Sequence, residues 1–162
     1  TIDGGRRRVE SGIGHLVARR ASRAVSLEFV DTNVLLYAYD VADSDRHRPA
    51  RSLVSRLGRA RSGALSVQVL QEFYVNAVRK IAVPLSPAVA RQRIAVLGLW
   101  PTHSPTAPDV LTAVDIAEQE RISFWDAMIV TSAAALGCEV LWTEDLNDGQ
   151  LINGVRVRNP FG

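Results

Sequence analysis

Lysine and cysteine are almost missing from this 162-residue sequence. Of its 19 basic residues 18 are arginine, Lys80 being the exception. A single cysteine, Cys138, excludes an internal disulfide, and a lone thiol beside an apolar stretch is expected to be a small core residue. Three histidines, His15, His47 and His103, stand apart in no metal-ligand spacing, so a zinc centre has no obvious ligands. Long apolar runs are lacking too. None approaches the roughly 18 residues of a membrane span, and the first residues hold no apolar signal-peptide stretch. The expectation is a cytoplasmic protein.

What is present is ordinary for one globular domain: 47% hydrophobic and 22% charged residues, on a chain long enough for a sizeable core. The basic charge is uneven. Residues 1–27 carry six arginines against Asp3 and Glu10, which leaves 13 basic and 15 acidic residues in 28–162. The high pI therefore belongs to the leader. Residues 1–25 read as a basic arm, able to touch nucleic acid but more simply disordered and solvated. With Thr and not Met at its head, that arm is expected to be a tag, a cleaved remnant or an over-extended gene start. Residues 26–162 read as the domain.

From Ser26 short strands alternate with helices. Strands are expected at 27–31, 63–66 and "CEVLWT" (138–143), with a brief one at 100–103 and a weak one in "VRVRNP". Helices are expected over 33–39, to about Arg59, 67–80 behind a Ser66 cap, 87–98, in "PDVLTAVDIAEQE", and in "FWDAMIVTSAAALG" behind a Ser123 cap and closed by Gly137. Strands spaced by helices imply a mainly parallel sheet covered on both faces.

In such sheets ligands bind at the carboxyl ends of the strands. Asp31, with Thr32 and Asn33, follows the first strand. Asp145, in "TEDLNDG", follows "CEVLWT". Asp126 lies in the first turn of a helix, and Glu72 about two turns into another. Each alone has a plainer explanation. Asp31 fits a helix cap, Asp126 a capping box with Ser123, and Asp145 a turn. Glu72 falls opposite the stripe Val67, Leu70, Tyr74, Ala77, Val78 and Ile81, as a solvated helix acid would. Gathered at one edge, however, four carboxylates repel one another and call for an offsetting positive charge. An oxygen-only donor set suits Mg²⁺ or Mn²⁺, and such sites commonly act on phosphates.

The stretches "FVDTNVLLYAYD", "LSVQVLQEFY" and "RISFWDAMIVTSAAALGCEVLWTEDLNDGQ" resemble the PIN domain family, and within it the VapC-type toxins of toxin–antitoxin pairs. The resemblance runs from about Ser26 to Gly162. It implies a three-layer α/β/α fold with a mainly parallel sheet of four to five strands. It also implies a Mg²⁺-dependent endoribonuclease, with Mn²⁺ a possible substitute, restrained by an antitoxin that inserts a C-terminal segment at the acidic pocket, and usually dimeric. The family's four acids fall on Asp31, Glu72, Asp126 and Asp145. On this reading Asp31 and Asp126 hold the principal metal, while Glu72 and Asp145 complete the pocket. Asn33, Thr143 and Ser66 are the supporting polar residues.

Two rival readings stay open. An aspartyl-phosphate enzyme would want a second Asp where Asn33 stands and a lysine that the sequence does not place. A catalytically silent PIN-like module would bind RNA or a protein without cutting. The arginines between 46 and 61 are candidates for RNA contact, or simply the solvated face of an amphipathic helix.

Overall fold

The structure, a computed structural model, describes residues 24–162. The basic arm read over 1–25 lies outside them except for its last two residues. The elements run β1 (Glu28–Val30), α1 (Thr32–Tyr37), α2 (Ser44–Ala60), β2 (Gly63–Ser66), α3 (Val67–Ala77) and α4 (Pro87–Leu97). They continue with β3 (Thr102–His103), α5 (Ala107–Glu120), α6 (Phe124–Ala135), β4 (Val140–Trp142), β5 (Leu151–Ile152) and β6 (Val155–Arg158). Among the described residues no helix is long and apolar enough to cross a membrane.

The sheet has the strand order β3-β2-β1-β4-β6-β5. Four pairings are parallel, and only β5 runs antiparallel, against β6. The sheet is thus mainly parallel, as expected, with six strands in place of four to five. The extra one is β5, joined to β6 through Asn153 and Gly154, both at positive φ. An Asn-Gly pair is the turn that brings two antiparallel strands together with the right twist.

The chain winds outward from β1 through β2 to β3, then returns to place β4 on the other side of β1. That reversal opens a crevice between the carboxyl ends of β1 and β4, the usual ligand position in open α/β sheets. The strands themselves are core: Phe29, Val30, Ala64, Leu65 and Leu141 are fully buried. Cys138 is buried as well, and burial pushes its thiol up to about 12. Gly63 is required by a close approach. A Cβ there would run into the Trp100 ring, which lies against the start of β2.

Most helices begin on a side-chain cap that satisfies otherwise orphaned N–H groups. Asp43 caps α2, Ser86 caps α4, and Ser123 caps α6, while Thr106 and Asp109 form a capping box on α5. Ser66 caps α3: its buried hydroxyl accepts from Val69 N at 3.3 Å. Ser66→Ala is expected to cost roughly 1 kcal/mol, read as a lower urea midpoint with an unchanged slope. No loss of stability would mean that water replaces the hydroxyl.

Candidate functional site

Asp31 follows β1 directly and is itself the cap of α1. Its Oδ1 accepts from Thr32 N at 2.7 Å. Its Oδ2 accepts from Thr143 Oγ1 at 2.8 Å, from the neighbouring strand end. Asp31 is only 6% exposed. Burial pushes its carboxyl up to about 7, against the pull of the Thr143 and Thr32 hydrogen bonds. The charges of Asp145 and Asp126 push it further up. The cap explanation holds for this residue, and the same carboxyl also stands among the other acids. One oxygen can serve the helix while the carboxyl as a whole is held in a poorly solvated pocket of acids.

The other three carboxylates reach the same crevice from different elements. Glu72, on α3, accepts from Thr32 Oγ1 at 2.7 Å and from Gln68 Nε2 at 2.9 Å. Asp126, in the first turn of α6, accepts from Ser123 Oγ at 2.7 Å. Its carboxyl is raised by partial burial and by the charges of Asp145 and Glu72, against the Ser123 bond. Asp145, after β4, accepts from Asn33 Nδ2 at 3.2 Å, and its N–H donates to Thr143 Oγ1 at 3.1 Å. Thr143 is thus the joint of the site. Its hydroxyl donates to one acid and anchors the backbone of another, so the ends of β1 and β4 are held in register.

Glu72 corrects the helix phase expected from the sequence. The buried face of α3 is Val69, Phe73 and Ala77, while Tyr74 is 39% exposed. Glu72 borders the buried face and does not stand opposite it. Ser66 was expected beside the acids, but its hydroxyl is taken by the cap of α3 and it bonds none of the four. Two supporting groups were not singled out for the site: Gln68, which with Thr32 holds Glu72, and Ser123, which holds Asp126. Their signal was present as cap and i,i+4 spacing.

A second cluster borders the site. Arg46 Nε pairs with Glu144 Oε2 at 3.0 Å. Its guanidinium lies 5.3 Å from the Tyr37 ring centre and 5.8 Å from that of Phe161, and those two rings meet edge-to-face at 5.4 Å. Burial raises the Tyr37 hydroxyl, with a hydrogen bond to Glu144 adding to it. Glu144 is thereby tied off beside Asp145, and the Arg46 guanidinium is engaged with it.

The pocket fits a hard divalent cation in donor chemistry. Its donors are oxygens alone, two of its carboxyls are raised by burial and mutual charge, and Gln68 Oε1 is buried beside Glu72 without a hydrogen-bond partner. As they stand, no three His, Cys, Asp or Glu side chains among the described residues form a ligating group. The fit is one of donor type, not of a closed shell.

The fold and its site define an α/β/α domain with acids gathered where the strand order reverses. The chain belongs to the PIN domain family, whose model matches residues 29–147. Members of that family are generally nucleases. Among solved structures, a toxin–antitoxin complex from Klebsiella pneumoniae is similar, with 18% identity and a TM-score of 0.60, over 82% of this chain and 97% of that one. VapBC2 from Rickettsia felis, bound to a DNA fragment from their promoter, is similar with 16% identity and a TM-score of 0.57, over 82% of this chain and 98% of that one. At such identities the likeness is one of fold. No curated protein matches the chain.

Proposed function

We propose that this chain is a divalent-cation-dependent endoribonuclease, the VapC-type toxin of a toxin–antitoxin pair, acting in the cytoplasm. The observation that carries the reading is the meeting of Asp31, Glu72, Asp126 and Asp145 at one crevice, on a domain whose family generally cuts nucleic acid.

Asp31 and Asp126 would hold Mg²⁺, or Mn²⁺ in its place, with Glu72 and Asp145 completing the pocket. When bound, the cation supplies a water of lowered pKa and offsets charge on the leaving oxygen. The rest is the work of the chain itself. Thr143 and the Thr32 N–H hold the Asp31 carboxylate in one orientation, and Asn33 does the same for Asp145. Ser123 fixes Asp126, and Thr32 with Gln68 fixes Glu72. Carboxylates held this way are available to accept a proton from an attacking water and to keep the phosphate in line. Ser66 acts one step removed, by starting the helix that carries Glu72. The acidic pocket also suits a guanidinium brought by an antitoxin segment, since that group neutralises and bridges carboxylates. A homodimer belongs to the same reading.

The test is cleavage of total cellular RNA by antitoxin-free protein. Discrete fragments are expected with Mg²⁺ or Mn²⁺, and none with EDTA or with Asp126→Asn. Calcium tolerates looser oxygen geometry and is expected to bind without supporting cleavage. Well-folded protein that retains RNA but cuts nothing in any of these metals would be the silent binding module instead.

A further inference from the structure

The domain's net charge of −2, from 13 basic and 15 acidic residues, conceals a strong segregation. Between Arg46 and Pro108 the sequence holds ten Arg and Lys residues and a single acid, Glu72. Among the described residues only Arg46 and Arg56 of those ten form ion pairs. A solvated helix face normally interleaves both signs, because like charges three or four residues apart repel. On α2 no acid follows Asp45, and Arg48, Arg51 and Arg59 share the outward face.

The unpaired arginines also line concave surface. A cleft of about 210 Å³ lies between α2 and α4, with Arg51 and Ser55 on one wall, Arg93 on the other and Tyr39 below. The Arg93 guanidinium sits 5.5 Å from the Tyr39 ring centre. Burial raises the Tyr39 hydroxyl, which keeps it a neutral donor beside two cations. A second hollow of about 500 Å³ shares Arg51 and Ser55 with the first and adds Arg48, Arg59, Ser44 and Ser52. No carboxylate among the described residues lines either one. Guanidiniums and hydroxyls facing shared hollows make an anion site, and a row of them suits a chain of phosphates.

We infer that the α2–α4 face is an exosite for the ribose-phosphate backbone of RNA, outside the cut. This rests on the nuclease reading for its substrate. The α2 helix begins beside the acids, where Arg46 meets Glu144, and from there the arginine row runs along the helix to Arg59, about 20 Å away at 1.5 Å per residue. The acidic pocket repels an RNA backbone, and the arginine row supplies the attraction that the pocket lacks. A hydrogen-bonding groove that touches no base edges holds RNA without choosing its sequence.

The test is equilibrium binding of a fluorescent single-stranded RNA to the Asp31→Asn protein over a range of salt. Adding Arg51→Gln and Arg93→Gln is expected to weaken binding roughly tenfold at moderate salt. It should reduce the slope of log affinity against log salt by about 1.4, at about 0.7 for each phosphate that is no longer neutralised. Arg51→Lys with Arg93→Lys should restore the slope, and Arg121→Gln, on the turn after α5, should change nothing. In the active protein the Gln pair should raise KM for long RNA and leave kcat intact. Cleavage of a short oligonucleotide that spans only the cut should be unaffected. Unchanged affinity and slope in a normally folded Gln pair would overturn the exosite. So would a Gln pair that loses binding of a poly-glutamate peptide but keeps RNA, since the face would then serve an acidic protein segment. A protein that cuts nothing, but whose RNA affinity falls in the Gln pair, keeps the exosite and removes the nuclease.

Discussion

Asp31→Asn is expected to abolish cleavage and, in the absence of divalent cation, to make the protein more stable. The loss of rate should be roughly 10³-fold or more, the several kcal/mol that a bound cation contributes to a transition state. The gain in stability follows from the burial of Asp31, whose carboxyl is raised from an ordinary 3.8 to about 7. A carboxyl with a folded pKa above its unfolded one favours the fold only while protonated. That contribution is complete below about 3.8 and is lost as the pH rises to about 7. At pH 8 the wild-type pocket holds a desolvated negative charge that asparagine removes. The full difference is roughly 4 kcal/mol at about 1.36 kcal/mol per pH unit. Relaxation of the pocket should leave roughly 1–3 kcal/mol to be measured. The amide keeps a carbonyl acceptor for Thr32 N, and the Thr143 hydroxyl can reverse to accept from the new NH₂. Urea unfolding in EDTA at pH 8 should show a higher midpoint for the variant, and the gap should close as the pH falls toward 4. Added Mg²⁺ should raise the wild-type midpoint and leave the variant's nearly unmoved. Equal midpoints at pH 8 would mean that Asp31 bears no burial cost, and the pocket would not need a cation.

The same pocket shows which parts of a structure are legible in a sequence. Asp31 and Asp145 could be placed because a parallel sheet gathers whatever follows its strands, and both strands are apolar enough to recognise. Asp126 could be placed because Ser123 marks the start of its helix. Glu72 was harder. The α3 segment is apolar nearly all round, with Val67, Val69, Leu70, Phe73, Tyr74 and Val75 in nine residues, so its 3.6-residue period has no clear phase. The face that is buried is decided by tertiary partners: the core that takes up Val69 and Phe73, and Thr32, which holds Glu72 across 40 residues of sequence. The Arg46–Glu144 pair, 98 residues apart, leaves no local trace at all. Strand β5 was missed for a different reason. Two residues are too few for any alternation to show, and only the Asn153–Gly154 turn marked it.

Phe73→Ala is expected to destabilise the fold by roughly 3–5 kcal/mol, the range for emptying a fully buried aromatic site. Phe73 is fully buried, on the face of α3 that packs into the core, and meets the Tyr39 ring edge-to-face at 5.5 Å. Truncation removes its buried area, leaves a cavity and ends the aromatic contact that ties α3 to the link between α1 and α2. With a urea slope of roughly 1–3 kcal/mol per molar, the midpoint should fall by more than about 1 M. Phe73→Leu keeps most of the volume and should cost less than about 1.5 kcal/mol. A small loss in the alanine variant would mean that the helices collapse into the gap. The consequence for the site follows from helix geometry. Consecutive residues on α3 point about 100° apart, so the turn that seats Phe73 in the core also sets Glu72 against Thr32. If α3 shifts into the cavity, the Thr32–Glu72 hydrogen bond at 2.7 Å is the first contact of the pocket to lengthen. Cleavage measured well below the unfolding midpoint should therefore fall in the alanine variant and not in the leucine one. Activity that tracks only the folded fraction would instead show that Glu72 is held by its own hydrogen bonds, independently of the core beneath it.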